Sequence, residues 1–365
     1  RQLIEKYGFP FENHTVTTAD GYILEIHRIP HGRNKFAYHG GPPVLIVPGT
    51  LSGSADYVNM GIEKSLGFIL ADHGYDVWLA NHRGTTWSRK HVRLNPDVDK
   101  EEFWDFSFQQ VGYYDLPACI NHILRVTKQG MLFYIGHSQG ATSFFVLTSE
   151  RPEYNSKIRL MVGLAPAAYF GHSRSLIFPF LVKFQDEVLA FIKRYQFYEI
   201  MRHSPWYGIF GATFCNACLP FQDICASVFY ILAGYSPAQL NKTMIPVIAT
   251  NSPAGGSFKQ LIHYSQLFAS KLFRKYDYGP EGNMKKYKQP EPPSYKLSKI
   301  TAPVALYYGD KDIICSKEDI DHSASEMKNV IVNKCVPGFN HLDVVWGNDV
   351  VELIFHEVLE LMKRH

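Results

Sequence analysis

Short apolar runs alternate with longer segments of helical period through the first part of this chain. Thr15–Thr18 and Tyr22–Ile29 flank Asp20-Gly21, a turn dipeptide, and are expected to form a hairpin. Val44–Val47 is apolar throughout, as a strand covered on both faces would be. Ile62–Asp72 has helical spacing and ends before Gly74, a natural C-cap, and Tyr75–Ala80 is a second buried strand. Asp115–Thr127 places Leu116, Ile120, Ile123 and Leu124 on one helical face, with Pro117 tolerated in the first turn. Met131–Ile135 and Ile158–Leu164 read as further strands, the latter closed by Ala165-Pro166.

After residue 166 the rhythm stops. Residues 167–299 carry clustered aromatics, three cysteines and many Pro and Gly breaks, and Tyr278–Ser294 reads as a loop returning to the core. The rhythm resumes at Val304–Tyr308 and Val330–Lys334 and closes with a helix over Asp349–Lys363. The expected fold is α/β: a core with a mostly parallel sheet built from residues 1–166 and 300–365, interrupted by a mainly helical cap at 167–299. There is no internal repeat and no low-complexity tract.

Composition narrows the class. The 365 residues are 46% hydrophobic and 14% aromatic, enough for a large core and suited to apolar ligands. The net charge of +3 and the lack of a Lys/Arg block give nucleic-acid binding no support. No apolar run is long enough for an integral membrane segment. The chain begins at Arg1 without Met, which reads as a processed product whose signal peptide has been removed. Asn13-His14-Thr15 and Asn241-Lys242-Thr243 are N-glycosylation candidates. Cys215 and Cys218 have C-x-x-C spacing, yet no second ligand pair accompanies them and their flanks do not suit a redox dithiol. Disulfide use in a secretory protein fits better; Cys119, in an apolar helical segment, is expected to be a buried free thiol. No metal or cofactor is expected, and the default oligomeric state is a monomer.

The candidate chemistry sits at Gly136-His137-Ser138-Gln139-Gly140, directly after an apolar strand and before the helix-like run Ala141–Leu147. A strand entering a helix through a Gly-flanked serine is the layout of a nucleophile elbow. Serine needs a base to take its proton, usually a histidine held by a carboxylate. On such folds these follow the serine in the order acid, then His. Asp312 follows Val304–Tyr308 and His341 follows Val330–Val336, so both would sit on loops at the carboxyl edge of the sheet. Asp310 is the alternative carboxylate, more apt to cap its own turn. The oxyanion donors would be the N–H of Gln139 and one from Pro48-Gly49-Thr50-Leu51, with Thr50 preferred and Leu51 next.

These motifs together resemble the acid lipase family: the lysosomal acid, gastric and lingual lipases and their insect relatives. The likeness runs through nearly the whole chain. Its carriers are Asp20–Leu24, Asn81-His82-Arg83-Gly84-Thr85-Thr86-Trp87-Ser88, Phe103–Phe108, Tyr114–Ala118, the Gly-His-Ser-Gln-Gly elbow, and Asn340–Asp343 with Trp346. The resemblance implies an α/β-hydrolase core and a cap with a lid, here within about residues 201–233, that opens at a lipid–water interface. It implies hydrolysis of triacylglycerols or cholesteryl esters, with Asp312 as the catalytic carboxylate. The lid stretch holds Trp206, Ile209, Phe210, Phe214, Phe221, Phe229, Tyr230 and Ile231.

The resemblance also implies a lid disulfide between Cys215 and Cys225, with Cys218–Cys225 as the alternative pairing. Two departures stand out: the early loop reads Pro48-Gly49-Thr50 where the family usually has His-Gly-Leu, and Cys218 is extra; Cys315 and Cys335 also stand apart from the mammalian pattern. On neighbouring late strands those two are expected to form a disulfide bracing the Asp and His loops. The expected activity is a serine-dependent lipase acting through an acyl-enzyme in a secreted or lysosomal setting. The alternatives are a carboxylesterase or acyltransferase on smaller esters, and a non-catalytic lipid carrier.

Overall fold

The computed structural model describes residues 1–33, 40–215 and 222–365. Its centre is a twisted sheet of nine strands. In chain order these are β1 (Glu12–Thr17), β2 (Tyr22–Ile29), β3 (Pro43–Val47), β4 (Asp76–Ala80), β5 (Lys90–His91), β6 (Leu132–His137) and β7 (Ile158–Leu164). A separate two-stranded ribbon, β8 (Glu199–Ile200) and β9 (Gly256–Ser257), follows in the cap, and β10 (Val304–Gly309) and β11 (Val330–Val336) complete the main sheet. Across the sheet the order is β1-β2-β4-β3-β6-β7-β10-β11, with short β5 on β2. The pairs from β4 through β11 are parallel, whereas β2 runs antiparallel to β1, β4 and β5.

The apolar strands are explained by burial on both faces. Leu45, Trp78, Tyr134 and Leu306 enter one core cluster, with the helices Leu116–Thr127 and Gln139–Glu150. Their neighbours Ile46, Val77, Ile135 and Ala305 enter the other, with the helices Leu66–Asp72 and His356–Arg364. Alternation with both faces covered keeps the central strands β3, β4 and β6 apolar except at their ends, Asp76 in β4 and His137 in β6.

Three of the motifs in the first third of the chain meet in one ion cluster. Arg83, 1% exposed, donates from Nη1 and Nη2 to Asp20 at 2.6 and 2.9 Å and from Nε to Asp115 at 2.8 Å. Its guanidinium lies over the Tyr22 ring, 4.0 Å from the centroid. The hairpin, the loop after β4 and the start of the helix before the elbow strand are thereby fixed to one another.

Some element limits differ from expectation. After a 3₁₀ turn at Ser54–Tyr57, the first α-helix after β3 begins only at Leu66, because Ser65 is extended and its Oγ accepts from the Met60 N–H. The segment expected as a loop at Tyr278–Ser294 contains a helix, Gly279–Tyr287, with Pro280 in its first turn, where proline is compatible with helix. The last helix is preceded by a wide turn over Val351–Phe355.

Between β7 and β10 the chain leaves the sheet. Helices Ile177–Lys183, Gln185–Tyr195, Pro205–Phe214, Gln222–Ala233, Ile245–Ala249 and Phe258–Ser270 lie there, with the ribbon β8–β9 pairing Glu199–Ile200 with Gly256–Ser257 across the base of residues 201–255. Cys218 and Phe221 lie outside the described residues.

Candidate active site

The turn from β6 into the helix Gln139–Glu150 puts Ser138 at φ 50° and ψ −115°, a region that L-residues seldom occupy. The flanking glycines are steric necessities. A Cβ at Gly136 would stand 2.7 Å from the Ala141 nitrogen, and one at Gly140 would stand 2.2 Å from the Val47 carbonyl oxygen. The second contact shows how tightly the helix is pressed against the end of β3, which brings the loop after β3 alongside the serine.

Ser138, His341 and Asp312 form one hydrogen-bonded chain. Asp312 Oδ2 lies 2.7 Å from His341 Nδ1, and His341 Nε2 lies 2.9 Å from Ser138 Oγ. A carboxylate accepts, so the His341 proton is on Nδ1 and its Nε2 lone pair faces the serine hydroxyl. The other carboxylate oxygen of Asp312 accepts from the N–H groups of Ile314 and Cys315 at 2.7 and 2.9 Å. All three side chains are buried, Asp312 at 1% exposure and His341 at 4%. Asp310 is not part of this chain: it accepts from the Gly338 N–H at 2.6 Å and pairs with Lys311 at the surface.

Cys315 and Cys335 do not form the expected disulfide; both are free thiols. Cys315 Sγ faces the Ala165 carbonyl while its N–H is held by Asp312, and Cys335 lies within β11 opposite Tyr308. Cys315 lies in the loop between β10 and the helix Lys317–Glu326, not on a strand, so strand adjacency does not bring the two thiols together. The bracing comes instead from the cap. The carbonyl of Ala233, the last residue of the helix Gln222–Ala233, accepts from the N–H of His341 at 3.2 Å and of Ile313 at 3.5 Å. Gly234 follows at φ +116°, so close that a Cβ would lie 1.9 Å from the Lys311 carbonyl oxygen.

His137 adds a second support. Its Nε2 lies 3.0 Å from the His341 carbonyl, which can only accept, so the proton is on Nε2. Burial and the neighbouring His341 ring push the His137 pKa down to about 3, keeping it neutral in mild acid. Sequence reasoning missed the roles of His137, Ala233 and Gly234. For His137 the available signal was its place inside the elbow; for the other two none was local.

Thr50 and Leu51 line the same cavity as Ser138 and His341. Gln139 opens the helix after Ser138, so its N–H belongs to the first turn, where helical amides lack an intrahelical acceptor. Leu51 has a positive φ of 62°, unusual for leucine, and its carbonyl accepts from the Ala254 N–H at 2.6 Å. The cavity holds about 510 Å³, within the range of small-molecule sites. Its walls are mainly apolar: Phe170, Phe178, Val228, Phe229, Leu232 and Ile248 are representative.

Of the lid residues singled out from sequence, Phe229 lines this cavity, with its ring centroid 6.5 Å from that of Trp346. Trp206, Ile209, Phe214 and Ile231 are exposed, and Tyr230 is half-buried. The side chain of Phe210 lies outside the described residues. Cys215 and Cys225 are disulfide-bonded, linking the helix Pro205–Phe214 to the helix Gln222–Ala233, and Cys119 is a buried free thiol. Asp312, Cys315 and His341 offer donor atoms within 4.8 Å of one another. Two of those groups are committed to the hydrogen-bonded chain with Ser138, which leaves no set for a metal there. No helix among the described residues is long and apolar enough to cross a membrane.

A serine so activated beside an apolar cavity is suited to acyl transfer, and comparison with known proteins agrees. Residues 42–338 match the α/β-hydrolase fold family, and residues 1–61 match the partial α/β-hydrolase lipase region. The gastric triacylglycerol lipase of Bos taurus is 36% identical, over 99% of this chain and 90% of that protein. The chain belongs to the acid lipase family. Lipase 3 of Drosophila melanogaster is 38% identical over 100% of this chain and 92% of its own length. The human lysosomal acid lipase/cholesteryl ester hydrolase is 34% identical, over 100% and 90%. The fold is also that of the soluble variant of monoglyceride lipase from Saccharomyces cerevisiae, with a TM-score of 0.53 at 16% identity, covering 98% of this chain and 95% of that one. As a member of the acid lipase family the chain is a carboxylic ester hydrolase.

Proposed function

We propose that this acid lipase hydrolyses neutral-lipid esters, triacylglycerols and cholesteryl esters, through an acyl-enzyme on Ser138. The supporting observation is the buried Ser138–His341–Asp312 chain opening on an apolar cavity of about 510 Å³. Ser138 Oγ attacks the ester carbonyl as His341 Nε2 takes its proton. Asp312 keeps the Nδ1–H tautomer and stabilises the imidazolium. The N–H groups of Gln139 and Thr50, with Leu51 next in line, hold the oxyanion. His341 passes its proton to the departing alcohol, and water then cleaves the acyl group.

The apolar walls take the acyl chain, and exposed apolar residues around the cavity suit a lipid–water interface. Ile177, Ile224, Val228 and Leu232 each line the cavity and also present substantial surface to solvent. The Cys215–Cys225 bond suits an oxidising compartment, consistent with a secreted or lysosomal protein. Asn13 is exposed on β1 and is the more accessible glycosylation candidate; the Asn241 side chain caps its own turn by accepting from Thr243.

Ser138→Ala should abolish ester hydrolysis while the melting temperature holds. Retained turnover would refute the assignment. A carrier without catalysis predicts no stoichiometric labelling of Ser138 by an alkyl phosphonate. An esterase of smaller esters predicts no rate gain on emulsions over monomeric ester.

A further inference from the structure

The oxyanion loop of this chain carries Thr50, and the Thr50 hydroxyl is engaged. It donates to Gln139 Oε1 across 3.1 Å. The same oxygen receives Gln260 Nε2 at 2.9 Å and, more distantly, the Tyr264 hydroxyl at 3.4 Å. The direction of these bonds is fixed by a backbone group. The Ser257 N–H donates to Gln260 Oε1 at 2.9 Å, so the Gln260 amide must turn its NH2 toward Gln139. Gln139 must then present its oxygen, and Thr50 must spend its proton on it. Gln139 and Gln260 are 1% and 0% exposed, so neither has water as an alternative partner.

Gln260 belongs to the cap, three residues into the helix Phe258–Ser270, whose N-terminus it closes in a capping box with Ser257. The same stretch of cap grips the loop a second time, through the Ala254 N–H to the Leu51 carbonyl at 2.6 Å. Ala254 is itself anchored, since its carbonyl accepts from the N–H and Oγ of Thr86 at 2.8 and 3.0 Å. Packing leaves no slack: a Cβ on Gly256 would stand 2.7 Å from Gln260 Oε1 and 3.1 Å from Leu51 Cδ2.

We propose that Thr50 and Gln260 are positioning residues that act through the single oxygen Gln139 Oε1, so that the cap sets where the oxyanion loop presents its N–H. The proposal rests on the assignment of that loop and of Gln139 as the oxyanion donors. A donor displaced by a few tenths of an ångström stabilises the tetrahedral intermediate less while leaving ester binding in the apolar cavity intact. The signature is therefore in kcat and not in KM.

The test uses the full chain and a soluble short-chain p-nitrophenyl ester, with melting temperatures as the fold control. Thr50→Val, which removes the hydroxyl at nearly constant shape, should lower kcat about tenfold with KM within about twofold; removing a donor outright costs more, about 10²–10³. Thr50→Ser should restore most of kcat. Gln260→Leu should give a similar loss, and Thr50→Val/Gln260→Leu should be no worse than about the poorer single variant, because both act through one oxygen. The proposal is overturned if Thr50→Val leaves kcat unchanged, if it raises KM alone, if Thr50→Ser fails to rescue, or if the two losses multiply. Should Gln260→Leu fail to fold, the Val/Ser pair at Thr50 decides. Ser138→Ala separates the two layers: turnover surviving in that variant removes the oxyanion assignment itself, whereas its loss beside an inert Thr50→Val removes only the brace.

Discussion

Asp56 gives a stability prediction with a defined dependence on pH. It is 4% exposed, and burial pushes its pKa up to about 6 from 3.8, although Ser252 Oγ donates to it at 2.5 Å and the Gly53 N–H at 3.3 Å. The folded state therefore holds this proton over a range where the unfolded chain has released it. The associated stability is fully present below about pH 4 and is lost as pH rises through about 6. The difference of roughly two pKa units amounts to about 3 kcal/mol at pH 7.5, of which about 2 kcal/mol is recovered at pH 4.5. Asp56→Asn removes the titration at little cost in contacts: Oδ1 can still accept from Gly53, and the new NH2 can donate to Ser252, whose hydroxyl accepts as readily as it donates. A 365-residue chain has an unfolding entropy of about 0.8 kcal/mol/K near its melting point. Asp56→Asn should thus raise the melting temperature by about 4 °C at pH 7.5 and only about 1 °C at pH 4.5. Paired calorimetric scans of wild type and variant at the two pH values read this difference directly, and a constant offset cancels. Equal shifts at both values, or a larger gain in acid, would show that Asp56 is ionised throughout and would refute the reasoning.

Asp312→Asn should lower kcat about 10⁴-fold with little change in KM, measured on a soluble ester. The Ile314 and Cys315 N–H groups would claim the one remaining oxygen and leave NH2 facing His341 Nδ1, forcing the proton to Nε2; a loss below tenfold would contradict this. Asp115→Asn should destabilise by about 3–5 kcal/mol by leaving the buried Arg83 charge short of its partner. That corresponds to about 4–6 °C in a thermal melt, and a change under about 1 °C would mean that Asp20 alone suffices for Arg83.

What the chain reveals of itself divides by the range of the physics involved. The elbow is legible because its requirement is local: a serine at φ 50° needs small neighbours, and Gly136 and Gly140 stand at the positions where a Cβ would strike backbone. The central β-strands are legible because burial on both faces leaves them almost wholly apolar. His341 and Asp312 follow from chain order plus the ends of two strands. The errors share a cause. Pairing Cys315 with Cys335 used strand adjacency, whereas Cys315 lies in the loop after β10. Reading Tyr278–Ser294 as loop took Gly and Pro as breakers where Pro280 begins a helix. The motifs around Asp20, Arg83 and Asp115 were visible only as a family signature; their meaning is a three-way ion cluster between segments far apart in sequence.

The cap is where sequence reasoning had least to offer, and the contacts explain why. Its fastenings to the site include a carbonyl at Ala233, an amide nitrogen at Ala254, a primary amide at Gln260 and the Arg174 guanidinium, which donates to the Asp312 carbonyl. The first two are backbone groups, so no side-chain pattern could announce them. They nevertheless divide the site between them: Ala233 holds the loops of Asp312 and His341, while Ala254 and Gln260 hold the loop of Thr50 and Leu51. A cap attached in this way cannot move as one body without disturbing both sets of loops.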